Sequence, residues 1–286
     1  MPAKRHGSCP SARPHIRYSE SCGGSMKIIA GVDRSDEALA AVEQLGLLYR
    51  PDEVVLVHGV PQRANLQGTI EFRQTLLDAG RQIVERCHTL LPAETLSIRA
   101  LCEAQDPASL ILDSAATIKP DLIAIGTRDL SRMVKAFIGS VSHRVLLHAT
   151  VPTLIVKGKA RPVTRVLMAV QGQEDATRLQ TWLTSHPFKN PVAVTILSVV
   201  IPLHNIGELL MVDVEGWSEQ SKRDAEQVVK DTAQALASPR FTVTTEVRLG
   251  DPATTVCEVG QNHDLIVVSS HGRKGLNRFM LGSVSV

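Results

Sequence analysis

The chain repeats itself. Gly139-Ser140-Val141-Ser142 returns as Gly282-Ser283-Val284-Ser285, and Asp121-Leu122-Ile123 returns as Asp264-Leu265-Ile266, both at an offset of 143 (282 − 139; 264 − 121). Asp106-Pro107-Ala108 returns as Asp251-Pro252-Ala253 at an offset of 145 (251 − 106). So small a drift is what loop insertions produce inside one duplicated unit. A period this long specifies two homologous domains, because solenoid repeats run to only about 20–50 residues. The length of 286 residues agrees, since each half is large enough to bury a core of its own.

Within each half, short apolar runs alternate with stretches of helical spacing. The first half predicts strands at 27–32, 53–60, 96–101, 122–125 and 153–156, separated by helices at 36–48, 69–91, 109–118 and 141–148. Asp106 is placed as the N-cap of the third helix and Pro107 at its first position. The second half predicts strands at 165–170, 192–200, 242–249 and 265–268, with helices at 176–184, 219–237 and 252–259. The strands are continuous Val/Ile/Leu runs, as in parallel sheets covered by helices on both faces. The fold class is therefore α/β, two tandem open parallel-sheet, Rossmann-like domains.

Domain boundaries follow at 26–158 and 159–286, after a leader of residues 1–25. The leader is rich in Ser, Pro, Gly and Arg and is expected to be disordered. Ser142 is followed by a helix and a strand, whereas Ser285 is followed only by Val286. The second domain is thus expected to lack its last helix and strand, leaving its fourth strand as a sheet edge.

Composition narrows the function. A net charge of +2 gives no global signal for a nucleic-acid partner, so any phosphate recognition must be local. Five cysteines, at positions 9, 22, 87, 102 and 257, form no Cys-x-x-Cys pair and are odd in number. That pattern argues for a reducing, cytoplasmic setting and against a disulfide framework or a zinc site. No apolar run approaches the ~18 residues of a membrane span, so no membrane partner is expected.

In an open parallel sheet, ligands bind beyond the carboxyl ends of the strands, where strand order reverses. Three loops of each half should meet there. In the first half they carry Asp33, then Asp106-Pro107, then the stretch from Gly126 to Ser142. An ionised Asp33 accepts hydrogen bonds only, which suits a ribose hydroxyl or an adenine amino group; its plainer role is a loop carboxylate or helix cap. Gly126 at a strand end allows close approach of the backbone to a ligand. Ser140 and Ser142 at a helix start read either as caps or as donors to phosphate. His58, His143, His148 and His271 form no catalytic set by spacing and are read as core or surface residues.

These residues resemble the universal stress protein family in its tandem form, over residues 26–286. The family's nucleotide-binding members carry an Asp after the first strand. After the fourth strand they carry Gly-x-x-Gly, nine residues, then Gly-Ser or Gly-Thr. The resemblance implies an adenine nucleotide alpha hydrolase-like fold and an adenine nucleotide, ATP first among them, with or without Mg2+. Matching positions are Gly31, Asp33, Gly59, Ile125, Gly126, Gly139, Ser140 and Val141 in the first half, and Gly272, Gly282, Ser283 and Val284 in the second. The resemblance also implies pairing of the two halves or a homodimer.

Both halves depart from the pattern. In the first, Asp129 stands where the second loop glycine is expected, which sets a carboxylate beside a phosphate site, a repulsion of about 1–4 kcal/mol at ~4 Å. Arg128, Arg132 and Lys135 are placed to offset it in part. In the second, Gln171 replaces the Asp, Gln173 replaces the residue equivalent to Ser35, and Ser269 replaces the first loop glycine, although its loop is more basic, with His271, Arg273, Lys274 and Arg278. Three functions stay open: a nucleotide-binding stress regulator, a relative acting through protein contacts alone, and a slow ATP hydrolase. No Walker loop and no Ser-Gly-Gly-x-Asp-Ser loop supports a dedicated enzyme.

Overall fold

In the computed structural model, the residues described are 25–61, 70–127, 139–202 and 214–270, with side chains described from 74 and from 218 in the second and fourth of these stretches. Strands and helices alternate along each half. The first half runs β1 (Lys27–Gly31), α1 (Asp36–Leu48), β2 (Glu53–Gly59), α2 (Ile70–His88), β3 (Ser97–Glu103), α3 (Pro107–Ile118), β4 (Leu122–Thr127), α4 (Ser140–His148) and β5 (Thr153–Lys157). The second runs β6 (Arg165–Ala169), α5 (Gln173–Ser185), β7 (Val192–Val200), α6 (Val214–Leu236), β8 (Phe241–Leu249), α7 (Pro252–Gly260) and β9 (Leu265–Val268).

Every strand pairing is parallel. The first sheet has the order β3-β2-β1-β4-β5, and the second has β8-β7-β6-β9 among the described residues. Period-two alternation divides each strand between two layers. Ile28 and Ala30 of β1 face Val42 and Leu45 of α1, whereas Ile29 joins Val55, Ile123 and Ile125 against Leu110 and Ile111 of α3 and Val145 of α4. The central strands are mostly buried, as read from their apolar runs, with Arg165 and Ala193 exposed. The outer strands differ: much of β3 and β8 is exposed, because each is an edge strand with a neighbour on one side only.

The two halves share one apolar core. Val42, Leu45, Leu48 and Tyr49 of the first half belong to the same buried cluster as Val166, Leu179, Leu183 and Phe188 of the second. Tyr49 stacks on Phe188 at 5.6 Å and meets Trp182 edge-on at 6.1 Å. Beside these rings polar groups pair across the halves, although among the described residues the buried Trp182 Nε1 has no partner. Gln44 donates to Arg161 O and accepts from Arg161 N, both at 2.9 Å, and Lys189 N donates to Leu48 O at 2.6 Å. Pairing of the halves is therefore intramolecular.

Candidate functional site

Strand order reverses between β1 and β4: β2 and β3 lie to one side of β1, and β5 lies beyond β4. The carboxyl ends of these two strands open the crevice predicted for a ligand. On the β1 side, Asp33 is held by its own loop. Its Oδ1 accepts from Ser35 N at 2.8 Å and from the Ser35 hydroxyl. Ser35 in turn is the N-cap of α1, its Oγ accepting from Ala38 N at 3.2 Å. The loop is clipped to β2 as well, since Val32 N donates to Val57 O at 2.9 Å. The His58 ring Nδ1 lies 2.8 Å from Val32 O, which fixes that nitrogen as the donor.

Three of the candidate glycines are explained by the protein itself. A Cβ on Gly126 would stand 2.2 Å from Glu37 O and 2.6 Å from Ala38 N, so the close approach read from sequence as room for a ligand is made by the first turn of α1. A Cβ on Gly59 would stand 2.6 Å from Pro107 Cα, so the end of β2 lies directly under the start of α3. A side chain on Gly31 would meet Ile111 Cδ1 at 2.7 Å. Gly139 is different: among the described residues a Cβ there would meet Ser142 Oγ alone, at an ordinary 3.8 Å.

The β4 side ends in the start of α4. Gly139 N donates to Thr127 Oγ1 at 3.2 Å, and the buried Ser142 donates through Oγ to Gly126 O at 3.1 Å. The first intrahelical bond runs from His143 N to Gly139 O, and Gly139 offers no side-chain cap. The N–H groups of Ser140, Val141 and Ser142 have no intrahelical partner and no acceptor among the described residues, with the positive pole of the helix behind them. Ser142 is neither cap nor surface donor, because its hydroxyl is spent on β4. Ser140 is exposed.

Asp106 caps α3 as expected, accepting from Ser109 N at 3.0 Å. Sequence reasoning did not find its second partner. Arg144 of α4 donates from Nη1 to Asp106 Oδ1 at 2.7 Å and from Nη2 to Ser109 Oγ at 3.2 Å. The Ser109 amide foremost, then the Ser109 hydroxyl and the Arg144 guanidinium, hold the Asp106 carboxyl below the usual carboxylate range despite some desolvation. Thr127 was also missed, since a strand-terminal Thr bonded across 12 residues leaves no local signal.

The second half repeats the scaffold without the same site. Gln171, in the place of Asp33, is exposed, and Gln173 turns to Thr177 Oγ1 at 3.4 Å. Gly172 provides no side-chain cap for α5. Asp251 repeats the cap of Asp106, accepting from Thr254 N at 2.9 Å. The phosphate-end residues Gly272, Gly282, Ser283 and Val284, and the basic loop around them, lie outside the described residues. So do Arg128, Asp129, Arg132 and Lys135 of the first half. Among the described residues no cluster of three His, Cys, Asp or Glu side chains is arranged to hold a metal, and no helix is long and apolar enough to cross a membrane. A hollow of about 720 Å³ is an open groove along α5 lined by Thr177, Trp182 and His186.

The Universal stress protein family model matches residues 24–157 and again 162–286. A universal stress protein of Mycolicibacterium smegmatis is 24% identical over 287 residues, covering 90% of this chain and 91% of its own. One of Mycobacterium tuberculosis is 26% identical over 292 residues, covering 92% and 93%. The crystal structure of a universal stress protein from Archaeoglobus fulgidus superposes with a TM-score of 0.66 over 91% of this chain and 92% of its own; at 18% identity it shows a shared fold.

Proposed function

The chain belongs to the universal stress protein family, and from that membership we propose that it is a cytoplasmic stress-response regulator that holds an adenine nucleotide, ATP by preference, in its first half. One observation carries the reading. A carboxylate of fixed orientation and a helix start whose first N–H groups have no intrahelical partner stand at the carboxyl ends of adjacent strands, on the two sides of the switch point. Asp33 supplies the acceptor for ribose or base. Gly139, Ser140 and Val141 supply backbone donors and the positive end of α4 for phosphate.

Gly31, Gly59, Ile125 and Gly126 act in this reading by shaping the crevice floor, their missing or apolar side chains letting α1 and α3 close over the strand ends. The second half, with Gln171 for Asp33, keeps only the phosphate-end pattern of Gly272, Gly282, Ser283 and Val284, and takes part as the docked neighbour of the first. The role is binding and signalling; any ATP turnover would be slow and a by-product of holding the triphosphate.

The test is what the purified protein contains and takes up. Denaturation followed by mass spectrometry of the released small molecules is expected to yield an adenine nucleotide, or calorimetry to register ATP binding by the emptied protein. Absence of both would leave the protein-contact reading in its place.

A further inference from the structure

We propose that Arg144 is a positioning residue for the phosphate end of the first-half site, fixing the start of α4 through Asp106 rather than by touching the ligand. The inference rests on the nucleotide reading above and adds how that site is kept in register.

Little of α4 is buried. It is nine residues long, and only Ser142 and Val145 are buried. A helix this short is not stable by itself, so its angle is set by its anchors. Two of these, Thr127 to Gly139 N and Ser142 to Gly126 O, tie the first turn to the end of β4. The third is the Arg144 fork, which reaches across to the first turn of α3 and takes Asp106 Oδ1 and Ser109 Oγ together. Planar, two-pronged donation fixes orientation as well as distance, which a lysine would not do.

Its partner is held just as firmly. Asp106 is tied by Ser109 N and Oγ to the start of α3, and Pro107 behind it lies against Gly59 at the end of β2. The chain of contact therefore runs from the base end of the crevice, through Gly59, Asp106 and Arg144, to the N–H donors at Ser140 and Val141. Arg144 stands one turn into the helix and faces Asp106, so its charge is committed to the fork.

Nucleotide affinity of the full-length protein, measured by calorimetry with ATP and with adenosine, separates this role from the alternatives. Arg144→Gln is expected to weaken ATP about five- to tenfold, the loss of roughly 1 kcal/mol typical of an exposed ion pair plus misorientation, and to leave adenosine within about twofold. Asp106→Asn is the deciding variant: asparagine keeps the α3 cap but removes the charge that holds Arg144. If Arg144 acts through Asp106, this variant also weakens ATP, and the double variant is no worse than either single one. If Arg144 instead touches phosphate, Asp106→Asn frees it and strengthens ATP binding, which overturns the proposal; unchanged ATP affinity in either single variant overturns it too. Should the unmodified protein bind neither ATP nor adenosine, the nucleotide reading itself falls and this inference with it.

Discussion

Gly126 shows how a single position can be constrained from two directions. As the penultimate residue of β4 it borders the crevice, yet the space a side chain would need is filled by the backbone of Glu37 and Ala38, with a contact of 2.2 Å to Glu37 O. Backbone cannot rotate away as a side chain can. Gly126→Ala is therefore expected to destabilise the protein by about 2–3 kcal/mol, read as a lower denaturation midpoint in urea with an unchanged slope; an unchanged midpoint would mean that α1 is free to shift. The glycine was legible in the sequence, but its neighbour was not, because sequence shows the missing side chain and not what occupies its place. Asp106 was read correctly as a cap since its bond to Ser109 N spans only three residues. Its second bond, to Arg144, spans 38 residues and has no local signature.

Helices and strands were legible wherever the signal is local. Asp106-Pro107 and Asp251-Pro252 open α3 and α7 where capping chemistry places them. The start of α5 was placed three residues late, at 176 instead of 173, because Gly172 carries no side-chain cap to mark it. The β3 edge was not legible, since β3 has an apolar-looking run but no neighbour beyond it among the described residues. The halves also share an unpredicted device: Asp121 and Asp264, equivalent by repeat, each tie the start of the fourth strand to that of the first. Asp121 Oδ2 accepts from Lys27 N at 2.7 Å, and Asp264 Oδ2 accepts from Arg165 N at 2.9 Å.

Desolvation works to raise the Asp264 carboxyl, but the amides of Thr164 and Arg165, the Thr164 hydroxyl and the Arg165 charge outweigh it and hold the carboxyl below its ordinary value. A depressed carboxylate stabilises the fold above its unfolded value, and that contribution is lost as pH falls through the folded one. Unfolding measured from about pH 6 to about pH 3 should show the unmodified protein losing more stability than Asp264→Asn. Parallel curves would contradict the assignment.

At the scale of the molecule, two halves with their own sheets are joined by a continuous core. Phe188, 2% exposed, is its keystone, stacked on Tyr49 of the first half and edge-on to Phe241 of the second at 6.4 Å. Phe188→Ala is expected to cost about 3–5 kcal/mol and to give two calorimetric transitions where the shared core predicts one for the unmodified protein; one undivided transition in the variant would mean the halves do not depend on that contact. Duplication was the plainest message of the sequence. The surface on which the halves meet was hidden, because Gln44 and Arg161 find each other across 117 residues and Tyr49 reads simply as a core aromatic.

The central claim places a nucleotide between the Asp33 loop and the start of α4. Amide hydrogen exchange with and without ATP locates it most directly. Slower exchange is predicted at residues 33–35 and 139–142 together, with little change at 171–173. Slowing confined to the second half, or none at either end of the first-half crevice, would contradict it.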